Sequence, residues 1–525
     1  MQFVNEIYLY KKDNSLQKTL NVGLSYPSTY FYGMSVLGYL SLFKDFDINP
    51  YVSAQRIFIN SKSLAFEPKY LDLLGFSCIF ELDILQILKI LKKYGFNPLA
   101  QKRRNKTPLI FAGGPVITSN PEPFADFFDF LIIGDGEGIA NEIVEVYKKN
   151  KKKTKNEILL ELSKIEGIYV PSLYNIKYNN EKICSFYPIS DELERSIKKR
   201  ISYSKECLYS PIISENTFYP NTVFIELARC CPFECKFCSA CWQNKPTRYY
   251  DIKFIKKAIK KASKHADKIV FIGAMISAHP NFEEICMYIN KLKTKRDFKV
   301  EFSSMSFEYP ISILPEIIEE KAISLSIECG SQDLRIKSGK NLLDCKIEET
   351  IQYYADKGIE KFNLYFLIGL PEETEDDIDK YIDFSIKLAK KFKDKTFCHI
   401  VSSFIPKPQT PYEKEKRQQT SILKEYIAKI NKSFEGTNIS LILPMLQNDS
   451  FNALISLGDR RLSAYILHIF EKNTPVKNLL KEYKLFMKKY NSKKSNDFIL
   501  PHYSKFIYRK KDVNEILPWD FIEIQ

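Results

Sequence analysis

Cys231, Cys235 and Cys238 stand in a C-x3-C-x2-C spacing inside the run Glu226-Leu-Ala-Arg-Cys-Cys-Pro-Phe-Glu-Cys-Lys-Phe-Cys238. Soft thiolates match iron, and three of them on one short loop can each hold one iron of a cubane 4Fe–4S cluster. The fourth iron then has no protein ligand, and an open coordination position is what separates a catalytic metal site from a structural one. Cys241 would complete a four-thiolate set, so a zinc site or a fully ligated cluster also satisfies the count. A disulfide is the remaining use of such cysteines, and it needs an oxidising compartment.

Such a loop must be held by regular elements, and the flanking sequence supplies them. Thr222-Val-Phe-Ile-Glu-Leu reads as a buried strand that runs into the ligand loop, where Pro232 imposes an irregular turn. Five further strand patterns follow at intervals, giving Val223–Leu227, Lys268–Gly273, Lys299–Ser303, Ile323–Glu328, Lys361–Gly369 and His399–Ile405, with helix-like segments between them. Six such units predict a partial (β/α)6 barrel with its chemistry at the C-terminal strand ends.

Upstream, strand patterns at Leu20–Ser25, Tyr70–Cys78, Leu109–Pro115 and Phe130–Gly138 alternate with helical ones near Val36–Phe43 and Leu82–Tyr94. That alternation predicts an α/β, doubly wound Rossmann-like sheet whose glycine-bearing strand ends line a ligand crevice. Lys148 to Asn156 reads as a solvated loop. The expected division is residues 1–195 for this sheet with its connector, 196–430 for the barrel, and 431–525 for a mainly helical region.

At 525 residues and 45% hydrophobic, the chain can bury several cores. No apolar run reaches the length of a membrane span and the N-terminus lacks a signal-peptide core, so a cytoplasmic enzyme is expected. Apart from the loop, the twelve cysteines are scattered, as reduced thiols are. The formal charge of +14 comes largely from dispersed Lys-Lys pairs. Nucleic-acid readers favour Arg forks and a concentrated patch, so an RNA substrate is not favoured.

The cysteine loop resembles the signature of the radical S-adenosylmethionine (SAM) superfamily, in the form found where a cobalamin (B12)-binding-type domain precedes the barrel. In that family the residue before the first ligand is normally Gly, and here it is Cys230. The upstream region is similar to that B12-type domain at Tyr26-Pro-x-x-Tyr30, Gly75-Phe-Ser, Ala112-Gly-Gly-Pro115, Asn120-Pro-Glu-Pro123 and Ile133-Gly-Asp-Gly-Glu137. The resemblance implies that SAM chelates the open iron and that one electron, from a flavodoxin- or ferredoxin-type donor, cleaves its sulfonium to a 5′-deoxyadenosyl radical. Cobalamin stays open as a further cofactor, without the Asp-x-His-x-x-Gly axial ligand, since all five histidines lie outside residues 1–195.

The same resemblance assigns roles at strand ends. Gly273 and Ala274 would let backbone approach the SAM amino group, and Ser303 would reach its ribose or carboxylate. Glu328 would take the ribose hydroxyls, Arg335 would clamp the carboxylate, and Ile368-Gly369 would cradle adenine. Gly273-Ala274 also reads as a simple tight turn, and Ser303 as a cap for the next helix. Cys241 and His279 are candidate catalytic or substrate-contacting groups, with packing as the alternative. Gly458-Asp459-Arg460-Arg461 reads either as an anion-binding closure over the barrel mouth or as a helix connection with an internal ion pair. A methyltransferase or related carbon–carbon bond former using cobalamin, and a non-enzymatic cluster-bearing factor, are the competing functions.

Overall fold

The computed structural model describes residues 5–13, 15–61, 64–103, 108–309, 314–492 and 499–524. Its first sheet contains β1 (Leu20–Ser25), β2 (Val52–Ile57), β3 (Leu73–Ser77), β4 (Leu109–Gly113), β5 (Phe130–Ile132) and β6 (Ile168–Tyr169) in the order β2-β1-β3-β4-β5-β6. All pairings are parallel except β5 with β6. Strands buried on both faces read as near-continuous apolar runs, which is why β1, β3, β4 and β5 were visible in the sequence. β2 was not, because Gln55-Arg56 interrupts its apolar pattern. Arg56 is nonetheless buried, bonded to Glu6 at 2.7 Å.

Helices α1 (Leu37–Asp47), α2 (Asp83–Lys93) and α3 (Ile139–Asn150) cover the sheet. The lysine-rich segment is not simply a loop. α3 runs to Asn150, and the helix Lys155–Leu162 begins behind a capping box in which Thr154 and Glu157 satisfy each other's backbone N–H groups.

The second unit carries β7 (Thr222–Glu226), β8 (Lys268–Ile272), β9 (Lys299–Phe302), β10 (Ala322–Glu328), β11 (Lys361–Ile368), β12 (Thr396–Ser403) and β13 (Ile439–Ile442). The six expected strands are present and β13 adds a seventh, parallel to β12. β7-β8-β9 form one ladder and β10-β11-β12-β13 another. Among the described residues a single bridge, Met305 to Leu325, joins the two ladders.

Two large apolar cores result. The barrel core is drawn mainly from residues 213–446. The other joins the first sheet to the C-terminal region, packing Phe451, Leu454, Tyr465, Ile466 and Trp519 with Leu24, Ile84 and Ile117. The helical region therefore backs the first sheet. Asn120 donates to the carbonyls of Ser456 (3.0 Å) and Gly458 (2.8 Å), and Arg460 pairs with Glu122 at 2.9 Å. Arg461 is bonded to Asp459 at 2.7 Å. Of the two readings of Gly458–Arg461, the structure shows the connection with an internal ion pair. No helix is long and apolar enough to cross a membrane among the described residues.

Candidate functional site

β7 delivers the cysteine loop to the C-terminal end of the barrel. Ala228-Arg229 then pairs antiparallel with Arg248-Tyr249, closing the loop at its base. Within it, Trp242 donates its indole N–H to the Cys235 carbonyl at 2.9 Å, and Lys236 N–H donates to the Ser338 carbonyl at 2.9 Å. Cys230 sits at φ 69°, in the left-handed region that costs a side-chain-bearing residue roughly 1–2 kcal/mol. That backbone demand explains why Gly is usual at this position.

Cys235 is buried and Cys231 and Cys238 are partly so. Burial pushes the Cys231 thiol up to about 11 and the Cys235 thiol up to about 12, and raises Cys238 as well. Cys231 and Cys235 are raised further by the neighbouring thiols of the set, and the Lys340 ammonium pulls all three down. A metal must displace those protons, so loading favours higher pH.

Cys241 points elsewhere. Its thiol donates to the carbonyls of Phe233 (3.0 Å) and Cys231 (3.6 Å). Hydrogen bonding between Cys241 and Cys230 lowers Cys230 and raises Cys241. Among the described residues no three His, Cys, Asp or Glu side chains converge on a single ion. With Cys230 and Cys241 bonded to backbone carbonyls, the loop offers three thiols, the number a cluster with one open iron takes.

The other expected residues divide. Glu328 ends β10 beside a bulge, at φ 72°, partly exposed, with Lys340 3.5 Å away. Ser303 is exposed at the end of β9, and Ser304 donates to the Gly273 carbonyl at 2.8 Å. Gly273 and Ala274 are half-buried beyond β8. Ile368 is buried. Gly369 (φ 82°) donates its N–H to Glu373, whose carboxyl burial pushes up to about 8. The helix that follows is opened by Asp377, in a capping box with Thr374.

Arg335 is a correction. Its side chain is fully buried, donating to the carbonyls of Leu342 (2.8 Å) and Cys329 (2.8 Å) and paired with Asp344. A guanidinium committed to these partners is not available to clamp a ligand carboxylate. His279 is a second correction. It is 4% exposed, its Nε2 lies 2.9 Å from the Tyr250 carbonyl, and Nδ1 accepts from Asn281 N–H at 3.1 Å. That pattern fixes a neutral ring in a structural role, and burial lowers its pKa further.

The comparisons can now be set against this geometry. Residues 225–385 match the radical SAM superfamily, and residues 44–171 match the N-terminal region of radical SAM proteins. This chain is a radical SAM protein. The uncharacterised protein MJ0966 of Methanocaldococcus jannaschii is 25% identical over 457 residues, covering 85% of this chain and 90% of its own. The cobalamin-dependent SAM radical enzyme OxsB, with aqua-cobalamin and SAM bound, shares the fold at 12% identity and a TM-score of 0.50. That match covers 92% of this chain and 74% of OxsB. Apo OxsB matches at 13% identity and a TM-score of 0.51 over the same shares. The radical SAM protein is thus an enzyme that uses a 4Fe–4S cluster and SAM, with a B12-type-like region ahead of its barrel.

The crevice of that region tests the corrin. Its lining includes Ser41, Asp45, Gly114, Asp135, Glu137 and Arg229 around a cavity of about 240 Å³. Drug-sized ligands occupy roughly 300–1,000 Å³, and a corrin is larger than these. Gly38 and Gly136 face open space, whereas Gly134 is filled by the chain itself. A Cβ at Gly134 (φ 103°) would run into the Arg200 carbonyl, and the two residues form an isolated bridge. As it stands, the cavity is smaller than a corrin.

Proposed function

We propose that Cys231, Cys235 and Cys238 hold the cluster, and that the enzyme starts radical chemistry on a substrate admitted at the barrel mouth without using a corrin. When bound, the cluster and SAM supply one-electron reductive cleavage of the SAM sulfonium. The observation that carries the assignment is the turning of Cys230 and Cys241 onto backbone carbonyls, which leaves three of the loop's thiols for the cluster.

The chain's own groups then divide the work. Cys235, the most buried of the three thiols, keeps water from the inner side of the site. Glu328, held at the strand end by its left-handed backbone, offers a carboxylate to ligand hydroxyls. Gly273 and Gly369 present backbone polar groups where the strands end. The electron comes from a flavodoxin- or ferredoxin-type donor, in a reducing compartment such as the cytoplasm.

Anaerobic reconstitution of the wild type should give a reduced-cluster electron paramagnetic resonance (EPR) signal that SAM alters, with 5′-deoxyadenosine released on dithionite reduction. Cys231→Ala, Cys235→Ala and Cys238→Ala should each lower 5′-deoxyadenosine by about 10³-fold or more, while Cys241→Ala keeps the cluster. Equal loss in Cys241→Ala would sink the assignment. Stoichiometric corrinoid absorbance after saturation with cobalamin would replace the corrin-free reading with cobalamin-dependent methyl transfer.

A further inference from the structure

The loop after β5, Gly134-Asp-Gly-Glu137, ends in the crevice of the first sheet, yet its side chains reach the base of the cysteine loop. Asp135 accepts from Arg229 at 2.8 Å and from Ser202 N–H at 2.8 Å, and it pairs with Arg248. Arg229 also bonds Glu137 at 2.7 Å and Glu226 at 2.7 Å, and Glu226 accepts from the Tyr250 hydroxyl at 2.8 Å. Arg248 donates to the Ser202 carbonyl at 2.7 Å. The Asp135 and Arg229 side chains are 9% and 14% exposed.

Arg229 lies two residues before Cys231 and faces Arg248 in the ladder that closes the loop. Two carboxylates of the first sheet therefore bolt it onto two guanidiniums, one on each strand of the loop base. Charge-assisted bonds of this kind fix geometry strongly, and a buried charge left without its partner is costly. Burial opposes ionisation of Asp135, but Arg229 and Arg248 hold its carboxyl below the usual range.

We propose that Asp135 and Glu137 are positioning residues for the cluster, acting through Arg229 and Arg248, and that this loop serves the neighbouring domain's metal centre instead of a ligand in its own crevice. The proposal rests on the assignment of the cluster to Cys231, Cys235 and Cys238. Asp135 and Glu137 border the crevice, yet each is held by a cation from the cysteine-loop base within 2.8 Å.

The test compares Asp135→Asn with Glu122→Gln. Glu122 anchors a comparably buried ion pair with Arg460, between the first sheet and the C-terminal region. Both full-length variants are reconstituted anaerobically and compared for cooperative melting, iron per chain, reduced-cluster EPR with and without SAM, and midpoint potential. Asp135→Asn is expected to bind half or less of the wild-type iron, with a changed EPR line shape on SAM addition. Glu122→Gln should melt earlier and keep both signatures. If Asp135→Asn does not fold, Asp135→Glu keeps the charge, moves it by one methylene, and gives the same comparison. Wild-type iron content, EPR shape and potential in the folded Asp135 variant would overturn the proposal. A wild type that holds no cluster would instead overturn the assignment on which it rests.

Discussion

The first sheet and the barrel present the same device, a set of parallel strands whose C-terminal ends converge on a crevice. In the sheet, several groups at that crevice are used by the chain itself, beside a cavity of about 240 Å³. Gly134 admits the Arg200 backbone, and Asp135 and Glu137 are bonded to arginines. In the barrel the ends stay available. Glu328 has a single salt-bridge partner at 3.5 Å, and Ser303 is exposed. Glycine and acid at a strand end thus mark a place where something approaches closely, and only the tertiary structure tells whether it is a ligand or the chain itself.

Three variants would break or sharpen that contrast. The largest effect is expected at Arg335, whose charge is wholly internal. Arg335→Met leaves the Leu342 and Cys329 carbonyls without their donor, which should cost about 1–3 kcal/mol of stability for each buried acceptor in urea unfolding. SAM affinity of the folded fraction should stay within about twofold. A selective loss of SAM binding at unchanged stability would restore Arg335 to the mouth.

Glu328→Gln should do the reverse. Removing one charged hydrogen bond, worth roughly 1.5–3 kcal/mol, should weaken SAM binding by about 10- to 100-fold. The melting temperature should hardly move, and calorimetric titration of the reconstituted protein would show the difference. Unchanged affinity would mean that this strand end is as self-satisfied as those of the first sheet.

The smallest effect concerns His399, which donates or accepts at 2.9 Å with Tyr381 in the barrel core. Burial lowers its pKa to about 3. The unfolded ring takes up a proton near pH 6.5 while the folded ring does not. Stability is therefore highest above that value and falls as the pH drops from about 6.5 toward 3. This residue contributes a slope approaching about 1.4 kcal/mol per pH unit. His399→Gln should flatten the decline in apoprotein urea midpoints between pH 6.5 and 4.5, and an unaltered slope would refute the buried neutral ring.

The cysteine triplet was legible because chelation by one loop is a short-range constraint that spacing alone expresses. The barrel strands were legible by their period of two, since along β10 and β11 buried residues alternate with half-buried or exposed ones. β13 was not, since Ile439–Ile442 is only four residues long and only its first is buried. Arg335 misled because a cation one turn beyond a strand end looks like a ligand clamp. Its fate is decided by Leu342 and Asp344, which belong to the next helix and the turn before it. The partners of Asp135, 94 and 113 residues away, could not be read from a local pattern at all.

The core shared by Leu24 and Trp519 also has a consequence in time. At about 5–20 residues per second, the ribosome needs roughly 25 to 100 seconds to pass from one to the other. The barrel, built from a nearly continuous stretch, can close during that interval. The sheet made first must wait with an apolar face uncovered until the final helices emerge. Nascent chains stalled before residue 450 should for that reason be the ones that chaperones hold.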